Sequence, residues 1–232
     1  MTALEEVLDL TIFWEYRSIL LVGILTNIKV WIWALLLAHG LGFTVCLMRI
    51  SQMRLARIVG TAYAELFRNT PEYMLLIWVH FVFPILLSYS LHMKVNFSPL
   101  FSSVLALGLA YSGFLTETYR SGMLSVSRGH VEAGHALGMS DFQCITRIIM
   151  PQAVRRVLPE LLNQAISLFK ATTLVSLIAV PDLLYNVVIV TQEEMRPLPL
   201  YTGAAIVYCL IIFTASTVAR QLSEKWRQRG WA

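Results

Sequence analysis

The sequence predicts an all-α membrane protein with five transmembrane helices. Hydrophobic residues make up 57% of the 232-residue chain and charged residues only 14%, whereas soluble domains carry about 25% charged residues. Five apolar windows are long enough to cross a bilayer as a helix, which needs about 20 residues. They lie at approximately 19–48, 73–91, 97–119, 157–180 and 200–219. Helices are favoured because backbone groups in lipid must be hydrogen-bonded within their own segment, and these runs do not alternate as barrel strands do.

The first window is expected to be a retained span. An acidic flank that includes Glu5, Glu6 and Glu15 precedes it, and no small-residue cleavage site follows it, so it does not resemble a removable signal peptide. Lys29 interrupts the window, and we expect it to be structural because a lysine near a span end can reach the interface. Its role is left open by the sequence.

The second span is expected to begin on the cytoplasmic side. The stretch 58–72 is less apolar, and we predict that it forms the start of the second helix, bent at Pro71. Short outer loops are expected near 92–96 and 191–199. The long polar connection, 120–156, precedes the fourth span and belongs to the cytoplasmic side.

The basic residues predict the orientation of the bundle. Twelve lysines and arginines lie on one predicted side: Arg49, Arg54, Arg57, Arg120, Arg128, Arg147, Arg155, Arg156, Arg220, Lys225, Arg227 and Arg229. Three lie on the other: Arg17, Lys94 and Arg196. Positively charged loops stay in the cytoplasm, which predicts an N-terminus outside and a cytoplasmic C-terminus. Because the basic residues are dispersed over membrane-apposed segments, nucleic-acid binding is excluded as a reading.

The most informative segment is the polar stretch at about 128–150. It contains Glu132-Ala133-Gly134, three residues, Gly138, nine residues, and then Ile148-Ile149-Met150-Pro151. Gly138 is placed to end one helix, and Ser140 with Asp141 is placed to cap the next. We therefore expect a helix–turn–helix along the membrane surface. From the residues alone it is either a docking site for another protein or an interfacial connector between two spans.

This segment resembles the EAA loop of the permease subunits of bacterial ABC importers. Other stretches resemble the polar amino acid branch of that family, of the histidine, glutamine and glutamate type. They are Phe67-Arg68-Asn69-Thr70-Pro71, Glu117 with Arg120-Ser121-Gly122-Met123, Ala136 to Ser140, Met150 to Ala153, and Leu168 to Ser176. Three departures stand out: Gly134 replaces an alanine, Met150 a leucine, and Ala171 an aspartate beside Lys170.

The resemblance implies the type I ABC importer permease architecture and a coupling role for the segment. Glu132, Ala133, Gly134, Gly138, Met139 and Asp141 would then contact a separate ATPase. The implied partners are two ATPase subunits, an identical or homologous permease subunit, a periplasmic or surface-tethered substrate-binding protein, and lipid of the bacterial inner (cytoplasmic) membrane. This chain would bind no cofactor, and ATP and Mg would be used by the ATPase.

The fourth span predicts a substrate pathway. Glu160, Asn163, Gln164, Ser167 and Lys170 share one helix face, and a polar stripe in a membrane helix faces the bundle interior or a water-filled cavity. Glu160 can accept a substrate ammonium, and Lys170 can balance a carboxylate. Two alternatives stay open: these side chains only bond neighbouring helices, or the binding protein alone selects the substrate.

Arg68 and Glu117 are expected to pair, either as a fixed interhelical contact or as a gate. Catalytic readings have little support. His130 and His135 are five residues apart, not four as in a zinc-binding His-Glu-x-x-His helix, and no metal site is expected. The chain lacks the Gly-x-x-x-x-Gly-Lys-Ser/Thr phosphate loop of an ATPase. The alternative function is a passive channel or an assembly scaffold without ATP coupling.

Overall fold

The computed structural model describes residues 11–228, and within this range all regular secondary structure is helical. We number the helices in chain order. They are α1 Thr11–Glu15, α2 Arg17–Ile50, α3 Arg54–Asn69, α4 Glu72–Leu91, α5 Pro99–Leu124, α6 Arg128–Ala136, α7 Asp141–Ile178, α8 Leu183–Glu194 and α9 Pro197–Gln228. The all-α fold expected from the sequence is confirmed.

Five of these helices, α2, α4, α5, α7 and α9, are long and apolar enough to cross a membrane. They correspond in order to the five predicted windows. The fourth helix, α7, exceeds its predicted window the most, because it begins at Asp141 and the window was predicted to begin near residue 157. A π-helical section at Cys144–Ile149 interrupts α7, and a 3₁₀ section at Thr172–Ile178 forms its end.

The segment before the second span differs from its prediction. A bent start of the second helix was expected, but α3 is a separate helix that ends at Asn69, and α4 starts after Pro71. Thr70 is extended, with ψ 127°, because the ring of a following proline disfavours the helical conformation. Pro71 also lacks the N–H that would continue the hydrogen-bond ladder. The proline therefore breaks the chain into two helices.

Helix α8 was not predicted, and its N-terminus lies in a buried polar network. Asp182 caps α8 by accepting a hydrogen bond from the Tyr185 backbone N–H at 2.8 Å. Its other carboxylate oxygen accepts one from Asn27 Nδ2 at 3.1 Å, and Asn27 Nδ2 also donates to Thr172 Oγ1 at 3.0 Å. Asp182 is fully buried, and this burial raises the pKa of its carboxyl to about 6.

The chain divides into two compact units. The first comprises the described part of Met1–Leu36 with Pro71–Gly108 and Ile166–Ala215; the second comprises Leu37–Thr70, Leu109–Ala165 and the described part of Ser216–Ala232. The first unit has a core that includes Leu20, Leu183, Val187 and Leu200. The second has a smaller core around Cys46, Met123 and Ala153. The single permease domain expected from the sequence stays a prediction.

Candidate functional site: the coupling segment and a charged cavity

The segment at 128–150 has the helix–turn–helix form expected from its capping residues. Ser127 Oγ accepts a hydrogen bond from the Gly129 N–H at the start of α6. Gly138 then adopts φ +78°, a left-handed conformation that glycine takes at little cost. At the start of α7, Ser140 and Gln143 form a reciprocal capping box, with distances of 3.0 and 3.3 Å. The turn therefore has a defined geometry.

Gly134 allows α6 to pack closely on the first turns of α7. It is buried, and a Cβ atom at this position would lie 2.7 Å from Ile148 Cδ1 and 3.0 Å from Cys144 Sγ. An alanine, which the resembled family carries here, would force the Ile148 side chain to move. The close packing of α6 on α7 therefore explains why this chain has a glycine at position 134 where the family pattern has an alanine.

The opposite face of the segment is exposed. Glu132 and Ala133 are accessible, and two large apolar side chains join them: Leu137 is 83% exposed and Phe142 is 74% exposed. Neither residue was predicted from the sequence as a contact residue, although a large apolar residue in a polar connector could have indicated one. Two large apolar side chains that are mostly exposed beside a capped turn are suited to contact with another protein.

Two other predicted coupling residues flank the turn. The Asp141 carboxylate is exposed and lies 3.4 Å from His135 Nε2, while Met139 is half-buried. The Met139 carbonyl oxygen lies 3.1 Å from His135 Nδ1, from which it can accept a hydrogen bond. The structure thus places all six predicted coupling residues in one small element, and their contact with an ATPase stays a prediction.

Glu117 belongs to an ion cluster, but its partners differ from the predicted one. Arg49 Nη1 lies 2.7 Å from Glu117 Oε2, and Arg120 Nε lies 3.1 Å from the same oxygen. Arg68 instead pairs with Glu65 at 2.9 Å, one helical turn away. The expected Arg68–Glu117 pair is therefore replaced by three others: each residue pairs with an opposite charge three positions away on its own helix, and Glu117 also pairs with Arg49. A gating role for either residue stays a prediction.

A charged cavity of about 510 Å³ lies within the second unit. Its lining includes four charged residues and the amide of Gln164. The charged residues are Arg68, Glu117, Arg156 and Glu160. Glu117 and Arg68 form the ion pairs described above, whereas the two other lining charges, Arg156 and Glu160, have no ionic partner among the described side chains.

Arg156 and Glu160 are one helical turn apart on α7. Arg156 donates one hydrogen bond, to the Ser125 backbone carbonyl, so most of its N–H groups remain available. Glu160 accepts a hydrogen bond from Gln164 Nε2 at 2.8 Å. A donor and an acceptor of opposite charge therefore face the same cavity. Arg156 was not selected from the sequence, where it was counted only as an orientation signal.

The predicted polar stripe is divided between the two units. Glu160, Asn163 and Gln164 belong to the second unit, and Ser167 and Lys170 to the first. Glu160 and Gln164 line the cavity, whereas Asn163 is exposed and is not part of its lining. Lys170 is exposed and has no ion pair within the described chain. The pathway role of all five residues stays a prediction.

Five membrane-length helices, an exposed helix–turn–helix connector and a charged cavity define a membrane transport component. The family model described as "Binding-protein-dependent transport system inner membrane component" matches residues 34–228. The chain belongs to this family. The prediction of a membrane permease subunit that is not itself the ATPase is thereby confirmed, and the family implies partnership with a substrate-binding protein and an ATPase.

Known proteins similar to this chain agree with that assignment. The glutamate/aspartate import permease protein GltK of Escherichia coli O157:H7 is 30% identical over 207 residues, which cover 89% of this chain and 92% of the relative. The L-cystine transport system permease protein TcyB of Bacillus subtilis is 31% identical, covering 92% and 87%. A crystal structure of an amino acid ABC transporter with histidines matches at a TM-score of 0.84 and 25% identity, covering 94% and 99%. The type I importer permease fold is therefore confirmed.

Proposed function

We propose that this chain is a membrane-spanning subunit of an ATP-driven importer that carries a polar amino acid across the bacterial inner membrane. Its N-terminus would lie outside and its C-terminus in the cytoplasm. The observation that carries the proposal is the exposed, capped helix–turn–helix at 128–150 in a chain whose relatives are named for glutamate, aspartate, glutamine and cystine.

The coupling segment would dock on a separate ATPase, which binds ATP and Mg. Glu132 and Ala133 would lie in the contact, with Leu137 and Phe142 as its apolar anchors. The capping box and the glycine turn support this role, because a rigid element transmits displacement better than a flexible loop. A passive channel or a scaffold needs no such element, so the alternative of a pore without ATP coupling has no structural observation in its favour.

The charged cavity would contact the substrate. A zwitterionic amino acid needs an acceptor for its ammonium and donors for its carboxylate, and Glu160 and Arg156 supply them one helical turn apart. A volume of about 510 Å³ suits a small ligand, since ligand cavities span about 300 to 1,000 Å³. Glu117 is less suited to accept the ammonium, because two arginines already bind its carboxylate.

The importer would contain two permease subunits, identical or homologous, two ATPase subunits and an external binding protein. The test is ATPase stimulation in proteoliposomes. This chain is co-expressed with its partner subunits, and a panel of amino acids is added with the binding protein. We expect one ligand class to stimulate ATP hydrolysis. An assembled complex that no amino acid stimulates would overturn the substrate class, and failure to assemble with any ATPase would overturn the coupling role.

Variants then separate coupling from substrate contact. Glu132→Lys is expected to abolish stimulated hydrolysis and weaken ATPase co-purification, because it reverses a charge on the exposed face of α6. The matched control is Glu224→Lys, the same change at an exposed position near the end of α9.

Glu160→Gln is expected to raise the apparent KM for substrate about tenfold, as loss of a charge-assisted hydrogen bond predicts, while the ATPase still co-purifies.

A further inference from the structure

A second cavity of about 480 Å³ lies within the first unit, beside the end of α4 and the loop that leads to α5. It combines three nitrogen-bearing side chains with an apolar wall, and none of its lining residues is a carboxylate. The lining residues are His80, Phe81, Pro84, Ile85, Ser88, Lys94, Val95, Asn96 and Phe97.

The cavity walls are held in place by internal hydrogen bonds. Ser88 Oγ accepts from the Val95 backbone N–H at 2.9 Å and donates to the Pro84 carbonyl at 2.7 Å. The loop is thereby folded back against α4. Phe97, on the same loop, packs edge-on against Phe101 with ring centroids 4.9 Å apart. These contacts hold the loop against α4 at the side of the cavity.

The irregular section of α4 sets the position of His80. Pro84 has no N–H, so it cannot bond the carbonyl of His80 as a regular helix requires. The helix widens into a π-helical section at Trp78–Val82, which Phe83 N–H closes by bonding Trp78 O. His80 Nδ1 then lies 2.9 Å from the buried Ser102 Oγ, which orients the ring and leaves Nε2 available to a ligand. Such π-helical sections are frequent at functional sites.

The donors of the cavity are not used internally. Lys94 and Asn96 are exposed, and among the side chains that the structure describes neither the ammonium nor the amide has a hydrogen bond or ion pair. A cation, two amide hydrogens and an imidazole nitrogen without a carboxylate favour an anion that accepts several hydrogen bonds. A zwitterionic amino acid is disfavoured, because its ammonium would find no charged acceptor here.

The apolar side of the cavity continues as a stripe along α4. Its members are large, exposed and spaced three or four residues apart: Met74, Trp78, Phe81, Ile85 and Tyr89. An exposed apolar stripe of this kind on a membrane-length helix suits contact with lipid acyl chains. Phe81 and Ile85 belong both to the stripe and to the cavity, so one molecule can occupy both. That molecule has an anionic head and an apolar tail.

We propose that this cavity binds the phosphate headgroup of an anionic phospholipid, whose acyl chain lies along the α4 stripe. Lys94 supplies the counter-charge, Asn96 and His80 supply directed hydrogen bonds, and Phe81 and Ile85 contact the start of the chain. A lysine at the end of a spanning helix can place its ammonium at the membrane interface, where lipid phosphates lie. The site is separate from the charged cavity of the second unit and does not depend on the proposed transport role.

The proposal is tested by native mass spectrometry of the purified protein with its co-purifying subunits. The probe is phosphatidylglycerol, titrated in parallel with phosphatidylcholine and with inorganic phosphate. We expect a saturable phosphatidylglycerol site, about tenfold weaker in Lys94→Gln, since losing one charge-assisted hydrogen bond has about that effect. Lys94→Arg should restore binding because it keeps the charge. Lys225→Gln is the matched control, a change of the same type on exposed α9, and should bind as the unsubstituted protein does.

Four results would overturn the proposal. Equal retention of phosphatidylglycerol by Lys94→Gln and by the unsubstituted protein would remove the headgroup role of Lys94. Equal loss in Lys225→Gln would show non-specific attraction. Displacement of the lipid by inorganic phosphate would identify a soluble-anion site, and phosphatidylcholine binding as tight as phosphatidylglycerol would show that charge is not recognised.

Discussion

Replacing Glu117 by glutamine should destabilise the protein through the two arginines that it leaves behind. The change keeps the side-chain shape but removes the charge between Arg49 and Arg120. Arg49 is 12% exposed and Glu117 is 30% exposed, so the pair lies between a fully buried and a surface ion pair. Breaking a buried pair costs about 3 to 5 kcal/mol and an exposed pair is worth about 0.2 to 1. We therefore expect a loss of about 2 kcal/mol.

The assay is thermal unfolding of the purified protein, combined with a double-mutant cycle. For a chain of this size, about 2 kcal/mol lowers Tm by about 4 to 8 °C. Glu65→Gln is the matched control, because it breaks the more exposed Arg68 pair and should lower Tm by about 1 to 2 °C. The cycle of Glu117→Gln with Arg49→Gln should give a coupling of about 1 to 2 kcal/mol. Strictly additive effects, or equal losses in Glu117→Gln and Glu65→Gln, would refute the argument.

Three further predictions concern other parts of the molecule. Burial raises the pKa of the Asp182 carboxyl to about 6, compared with 3.8 in the unfolded chain. The folded state therefore binds the extra proton, and the free energy of unfolding should fall by about 3 kcal/mol as the pH rises from about 4 through 6 and stay low above that pH. Asp182→Asn should flatten this profile in pH-dependent unfolding, and Asp141→Asn, at an exposed site, should not; a profile unchanged in the first variant would contradict the burial argument. Gly138→Ala should lower the unfolding free energy by about 1 kcal/mol, because a Cβ atom strains the backbone at φ +78°. The variant should therefore show a lower Tm and weaker ATPase stimulation; full activity and stability would show that the turn tolerates a Cβ atom. Tyr63→Phe removes the 2.8 Å hydrogen bond to Ser112 and should lower the unfolding free energy by about 1 kcal/mol; an unchanged unfolding free energy would contradict a stabilising role of this bond.

Much of the coupling segment was predictable because its signals are local. Ser127, Gly138 and Ser140 each act on backbone groups within three residues, so the helix boundaries follow from residue type. The close approach at Gly134 was not predictable. It depends on Ile148, fourteen positions later, folding back over α6, and only the packing of the two helices shows this. The anchors Leu137 and Phe142 likewise required exposure values that no sequence pattern supplies.

The charged residues show the same division. The sequence identified Arg68, Glu117 and Glu160 as costly charges in or near a membrane, because charge burial is expensive wherever it occurs. It did not identify their partners. Arg49 reaches Glu117 across 68 positions of chain, and the available Arg156 became visible only once the paired charges of the same cavity were known.

By itself the sequence determined the five spans, their order, the helix–turn–helix and the family. The spans and the helix–turn–helix follow from the length and apolarity of a segment or from short-range hydrogen bonding, and the family follows from the resemblance of the 132–151 segment and the other quoted stretches to its motifs. The tertiary structure alone decided which charges are neutralised, that Asp182 is buried against Asn27, and that Lys94 and Asn96 share a cavity with an apolar stripe. These features depend on contacts between segments far apart in the chain, where several pairings satisfy the same composition and only packing selects one.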